Sequence, residues 1–355
     1  MRRRRKRSGK RKIKVWKKVV LILTVLIFVL AGSLFTAFLV LHWQGEKSLK
    51  TVPADSKSAK EAKETEYIRY NGKKYHYRED IINILCIGVD KDIPMEEKRD
   101  TGSLGLADAI LLVSLDTKQN TMKIIAVPRD SMVPVKVMDP AGKYVRTDTK
   151  QLAYQYAYGT TAAQSSSLTV EAVSKLLYKI PIQRYCSINF QALPKMNDAV
   201  GGVDVNVLED MTWYDPVFVY GNTVHLSGNL ALDYVRQRDE NVEGSNLLRI
   251  ERQKQYITAF MDRARTVLAG DLTLPVTLYN QLQPDMCTDI KVEDITYLAS
   301  EVLKTSLTGD DMVMVPGDVV MGEQYEEYHV QEDNLKNLVI STFYEEVTGS
   351  EGGSR

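Results

Sequence analysis

The feature that most constrains this chain is VVLILTVLIFVLAGSLFTAFLVL, residues 19–41, a run of 23 residues without a charge. At about 1.5 Å of rise per residue, a helix of this length covers roughly 30 Å of hydrocarbon. Twelve of the first 18 residues are Lys or Arg and none is acidic. Such a flank stays on the cytoplasmic side of a membrane, and His42 and Trp43 suit the far interface. A cleaved signal peptide has an apolar core of only about 7 to 15 residues and ends at a small-residue site. LHWQGEKS offers no such site. The expectation is a single-pass anchor in the cell membrane, with the N-terminus in the cytoplasm and everything after residue 43 outside.

That topology changes how the charge is read. The chain holds 46 basic and 46 acidic residues; without the twelve cations of the tail, 34 face 46, a net charge of −12. An acidic exterior domain is a poor binder of nucleic acid, and no nucleic-acid partner is expected. The same topology argues against a transcription regulator. Cys86, Cys186 and Cys287 are odd in number and widely spaced, and the first two lie in apolar runs. They read as small core residues rather than a disulfide frame. The four histidines show no ligand spacing, which speaks against zinc.

Five segments follow: a basic cytoplasmic tail (1–18), a transmembrane helix (19–41), a polar extracellular stalk (42–78), a folded ectodomain (79–346) and a disordered C-terminal tail (347–355). Within the ectodomain IINILCIGVD, DAILLVSLD and TMKIIAVPRD read as strands, the last two joined by a hairpin at DTKQNT. SLTVEAVSKLLYKI, SNLLRIERQKQYITAFMDRARTVLA and EDNLKNLVISTFYEEV read as helices. The fold class is α/β, a mixed central sheet flanked by helices.

Two groups of residues could carry chemistry. Asp90 follows the first strand and Asp108 opens the next. If those strands are neighbours, the carboxylates face each other and suit Mg²⁺ or Mn²⁺; otherwise each is a turn or cap residue. Arg129 and Asp130 end the third strand, where Pro128 stops the ladder. Arg236 and Arg238 are two apart and in extended chain share a face. Arg249, Arg252 and Gln253 share a helix face, which Tyr256 extends. Four arginines within 17 residues of an acidic domain repel one another unless an anion lies between them. Guanidinium forks match phosphate, and the helix start at Ser245 and Asn246 favours the same ligand.

NILCIGVD, ADAILLVSLD with IIAVPRD, QLAYQYAYG, GGVDVNV, and ALDYVRQR with RIERQ occur in this order over residues 80–260. Together with the single anchor, this pattern resembles the LytR-CpsA-Psr (LCP) family of cell-envelope proteins. The resemblance implies an α/β/α domain with an apolar tunnel for a polyprenyl tail. It also implies a Mg²⁺-assisted phosphotransferase. Such an enzyme moves an anionic glycopolymer (teichoic acid, capsule or another wall polysaccharide) from polyprenyl pyrophosphate to peptidoglycan, with pyrophosphatase action as a possible side activity. Carried over by position, Asp90 and Asp108 would hold the metal. Arg129, Arg236, Arg238, Arg249, Arg252 and Gln253 would contact the pyrophosphate, and Asp130 would orient Arg129. Two positions depart from the pattern. Leu106 stands where the family has an arginine, leaving Arg99 as a substitute and Asp100 as a rival metal ligand. Asn246 stands where the family has an aspartate. The alternative function is a polyprenyl-phosphate-binding protein without transfer.

Overall fold

The computed structural model describes residues 32–33, 36–50, 67–92, 94–95, 98–239, 242, 245–271 and 273–347. The chain enters the described region on helix α1 (36–50) and a hairpin of β1 (Tyr67–Tyr70) and β2 (Lys73–Tyr77). Next come β3 (Ile81–Val89), β4 (Ala107–Asp116) and β5 (Thr121–Ala126), an antiparallel meander. A second hairpin, β6 (Met132–Met138) and β7 (Tyr144–Gln151), leads to helices α2 (Ala153–Ala157) and α3 (Ala162–Leu176). Beyond β8 (Arg184–Ile188) and α4 (Ala192–Ala199) lies the pair β9 (Val203–Asn206) and β10 (Thr223–Leu226). Helices α5 (Asn229–Arg236), α6 (Ser245–Gly270) and α7 (Leu274–Leu282) follow. The chain closes with β11 (Met286–Thr288), α8 (Val292–Val302), β12 (Met312–Met314), the hairpin β13 (Gly317–Met321) and β14 (Glu326–Val330), α9 (Glu332–Phe343) and β15 (Tyr344–Glu346).

The central sheet has the order β11-β8-β3-β4-β5-β12. It is mixed: β8 runs parallel to β3, and β12 parallel to β5. Strand alternation sorts the apolar side chains onto two faces. Leu85, Ile87, Ile110, Leu112 and Ile125 point to one face, under α2, α3 and α9. Ile82, Val113, Leu115 and Ile124 point to the other, against Leu49 of α1, Ile257 of α6 and Tyr297 of α8. The architecture is therefore α/β/α. A third apolar cluster joins β9 and β10 to α5 and α6 through Val205, Phe218, Leu226, Tyr234 and Tyr256. Between the first face and α2–α3 the apolar side chains are shielded from solvent. Leu85, Leu112 and Val173 are fully buried and Tyr156 nearly so. All three cysteines are free; Cys86 and Cys186 are register neighbours on β3 and β8.

The polar stretch 42–78 is not wholly a stalk. Residues 42–50 are helical and 67–77 form a hairpin that β15 extends to three strands. The low density of apolar residues conceals that His42, Gly45 and Leu49 fall on one helix face, at i, i+3 and i+7. Leu49 is fully buried, and His42 Nε2 lies 2.9 Å from Ser300 Oγ. The hairpin turns at Asn71 and Gly72, both at positive φ, the usual dipeptide for a two-residue turn. Among the described residues no helix is long and apolar enough to cross a membrane. The span expected at 19–41 lies mostly outside them, as do the basic tail and residues 348–355.

Candidate active site

Three adjacent strands bring the candidate residues to one end of the sheet. Strand β3 ends at Val89, which pairs with Ala107 at the start of β4. Strand β5 runs antiparallel to β4 and so finishes at that same end. Asp90, Asp108 and Arg129 therefore leave the sheet together. A β-bulge between Gly88 and Val89 re-aims the chain just before Asp90. The backbone N–H of Leu106 donates to Asp90 Oδ1 at 2.6 Å, and Asp90 N–H returns a bond to Leu106 O at 3.1 Å. Gly105, at φ +91°, passes so close that a Cβ would lie 2.4 Å from Asp90 Oδ1. At Leu106, then, the backbone meets Asp90. Asp100 is exposed in a turn, with its carbonyl accepting from Ser103 N–H, and Arg99 N–H donates to Thr160 O at 2.9 Å.

Arg129 is held between two carboxylates. Its Nη1 donates to Asp108 Oδ1, and its Nε lies 3.7 Å from Asp130 Oδ2. Burial works to lower the guanidinium pKa, but the charges of Asp108 and Asp130 outweigh it and the net shift is upward. Burial raises the Asp130 carboxyl; Arg129 opposes this, while Glu326 and Asp108 add to it. Glu326 had no signal in the sequence. It sits on β14, brought in because Tyr328 N–H donates to Asp130 O at 2.9 Å.

Arg249 lies in the second turn of α6. Burial pushes its guanidinium pKa down; Arg238 and Arg129 push it further, against the pull of Asp108. Arg129, Arg238 and Arg249 thus lie within reach of one another's charge, with Asp108 and Asp130 among them. A cation near a helix N-terminus is unfavourable until an anion arrives.

The remaining candidates serve differently. Arg236 is the last residue of α5, not part of an extended pair, because the chain leaves the helix at Gln237 (φ −66°, ψ 140°). Arg236 is exposed and stacks on Phe190, 4.1 Å from the ring centroid. Arg252 is fully buried, donating to the carbonyls of Tyr234 and Gln237 and lying 2.9 Å from Glu209 Oε1. Gln253 Nε2 donates to Val235 O at 3.1 Å. The stripe of Arg252, Gln253 and Tyr256 is real, but it faces α5 and β9, so only Arg249 projects into the cluster. The backbone at Asn246 is helical; its side chain lies outside the described part.

Two carboxylates fit a hard divalent ion that keeps waters and takes oxygens from a phosphate ligand. Asp90 has its second oxygen beyond the Leu106 bond, and Asp108 has one beyond Arg129. Among the described residues no cluster of three or more His, Cys, Asp or Glu forms a fuller cage. A polar cleft lined by His76, Arg78, Asp80, Lys118 and Glu345 includes none of the site residues.

The fold and site define an α/β/α domain with arginines and carboxylates gathered at the ends of three sheet strands. The LytR_cpsA_psr family model matches residues 44–342, and the chain belongs to that family. It is 28% identical over 272 residues to the polyisoprenyl-teichoic acid–peptidoglycan teichoic acid transferase TagU of Bacillus cereus, covering 77% of this chain and 79% of that one. Against TagT of Bacillus subtilis, of the same description, it is 29% identical over 270 residues, 74% of each chain. The crystal structure of B. subtilis TagV has a similar fold, with a TM-score of 0.56 at 23% identity, covering 75% of this chain and 96% of that one.

Proposed function

We propose that this protein is a membrane-anchored phosphotransferase. It moves an anionic glycopolymer such as teichoic acid or capsule from polyprenyl pyrophosphate to peptidoglycan outside the cell. The observation that carries this reading is the cluster of Arg129, Arg238 and Arg249 beside Asp90 and Asp108. Three guanidinium groups and a helix start supply forked donors for the oxygens of a pyrophosphate. A hydroxyl of the acceptor glycan attacks the phosphorus that bears the sugar, and the bridging P–O bond to the polyprenyl phosphate breaks. The arginines stabilise charge gathering on the phosphoryl oxygens and on the departing phosphate. Asp130 orients Arg129, and with its raised pKa it is the carboxylate suited to take the hydroxyl proton. Asp90 and Asp108 would hold Mg²⁺ or Mn²⁺, which when bound adds positive charge next to the pyrophosphate. The apolar run 19–41 anchors the chain, with the site on the outer side.

A second reading, binding of polyprenyl phosphate without transfer, is favoured by one residue: Asn246 lacks the carboxylate of the family pattern. The test uses the full-length chain in detergent with a short-chain polyprenyl-pyrophosphate saccharide and a glycan acceptor, with Mg²⁺ or with chelator. Metal-dependent transfer that Arg238→Ala and Asp90→Asn each abolish is the expected result. Donor binding weakened by Arg238→Ala, with no turnover under any condition, would establish the second reading instead.

A further inference from the structure

The loop between β9 and β10, residues 207–222, exposes rings that the site described above does not use. Trp213 is 51% and Tyr220 68% exposed, with Tyr214, Val217 and Val219 beside them. This loop is nonetheless firmly built. Met211 and Phe218 are buried in the third apolar cluster. Met211 N–H donates to Phe218 O at 3.0 Å, Tyr214 N–H to Met211 O at 2.9 Å, and Gly221 N–H to Val207 O at 2.9 Å. Two residues anchor the loop so that the rings stand outward. Large exposed apolar groups held this way mark a binding surface whose ordering cost has been met in advance.

Charge decides what can bind there. Between Lys195 and Arg236 there is no Lys or Arg, while Asp198, Asp204, Glu209, Asp210, Asp215 and Asp233 are all acidic. An anionic lipid surface attracts basic segments and repels this one. The anionic polymer on the donor is repelled for the same reason. An uncharged polymer with apolar ring faces and many hydroxyls fits, since indole and phenol rings offer flat apolar surfaces with a donor at the edge. The surface is also tied to the arginine segment. Tyr214 Oη donates to Asp233 Oδ1 at 2.9 Å, and Asp233 lies on α5, five residues before Arg238.

We infer that the β9–β10 loop is the docking surface for the uncharged glycan backbone of the acceptor, gripped through Trp213 and Tyr220. This rests on the transferase reading for its role, though not for its binding chemistry. The test compares the full-length chain in detergent with the double variant Trp213→Ala/Tyr220→Ala and with Trp213→Tyr, which keeps a ring. Binding is measured by sedimentation with teichoic-acid-free peptidoglycan and by titration with a β-1,4-linked N-acetylglucosamine tetramer. Donor hydrolysis without acceptor is followed in parallel. The double variant is expected to bind glycan about tenfold more weakly with donor hydrolysis unchanged, while Trp213→Tyr keeps most of the affinity. Equal glycan binding by wild type and double variant overturns the inference. So does a ring-dependent association with phosphatidylglycerol vesicles, or with a second copy of the chain in sedimentation velocity. Glycan binding through these rings by a chain that transfers no donor saccharide to a glycan acceptor would uphold the surface and overturn the transferase reading.

Discussion

Arg129 donates through Nη1 to Asp108 Oδ1, tying the end of β5 to the start of β4. This bond links the arginine cluster to the carboxylate pair, so the two halves of the site are not independent. Arg129→Ala should reduce donor turnover about 10²- to 10³-fold, the usual effect of removing one preorganised charged donor. Arg129→Lys should not restore it, because a point charge cannot span two oxygens as a fork does. Both side chains of the pair are about one-third exposed, so the melting temperature should scarcely move. Turnover within threefold of wild type in Arg129→Ala would remove this residue from the mechanism, threefold being about 0.6 kcal/mol.

Arg252 and Arg236 should behave in opposite ways. Arg252 is buried and satisfies two backbone carbonyls and Glu209. Its replacement by alanine leaves the buried Tyr234 carbonyl and the half-buried Gln237 carbonyl and Glu209 without this partner, at a cost of about 2 to 4 kcal/mol in chemical denaturation. Arg236→Ala loses one stacking contact on Phe190 at the surface, worth about 0.5 to 1 kcal/mol. Equal destabilisation by the two substitutions would contradict the assignment of Arg252 as a clasp.

Glu171 on α3 receives hydrogen bonds from Lys136 and Lys175. Burial acts to raise its pKa, but the two lysines outweigh it and the net shift is downward from 4.5. For a carboxylate whose folded pKa is depressed, the stabilisation is present above the unfolded value and is lost as pH falls through the folded one. Glu171→Gln should therefore cost about 1 kcal/mol at pH 7, and the gap from wild type should close as the pH drops below 4. Thermal melts of both proteins across pH 3 to 7 would reveal this; a gap that widens in acid has the wrong sign.

Strands β3, β4 and β5 were legible because each is a dense apolar run, whereas β11, Met286–Thr288, is too short and mixed to stand out. Asp90, Asp108 and Arg129 could be placed because strand ends are visible in sequence. The stripe at Arg249, Arg252 and Gln253 was legible as a helix face, but not which way that face turns. That depends on Tyr234 and Gln237, residues whose carbonyls claim Arg252 only in the folded chain. The hairpin at Asn71 and Gly72 carried a turn signal inside a segment too polar to suggest a fold. Glu326 could not have been found, since it reaches Asp130 through a hairpin nearly two hundred residues away in sequence.

Helix α1 carries the last prediction, because under the proposed membrane anchoring it decides whether the anchor would be a tether or a strut. A Cβ on Gly45 would lie 2.1 Å from Glu293 O and 2.9 Å from Tyr297 Cβ. Only glycine lets α1 lie this close to α8. Arg184 reinforces the contact, donating from Nη2 to Ser48 Oγ at 2.6 Å and from Nε to Asp294 Oδ2 at 2.8 Å. Gly45→Val should force α1 off the domain, and amide exchange across residues 42–50 should rise to the level of an isolated helix. The contact is made by Gly45, Ser48, Arg184, Glu293, Asp294 and Tyr297 and includes none of Arg129, Arg238 and Arg249, so turnover of a short-chain donor in detergent should be unchanged. Transfer from a donor embedded in a bilayer should fall about tenfold, since a loosely tethered domain no longer holds the site at a set height above the lipid surface. If exchange stays protected, α1 tolerates the side chain and the close packing is not what docks it. If both activities fall together, the helix supports the catalytic fold itself rather than its position over the membrane.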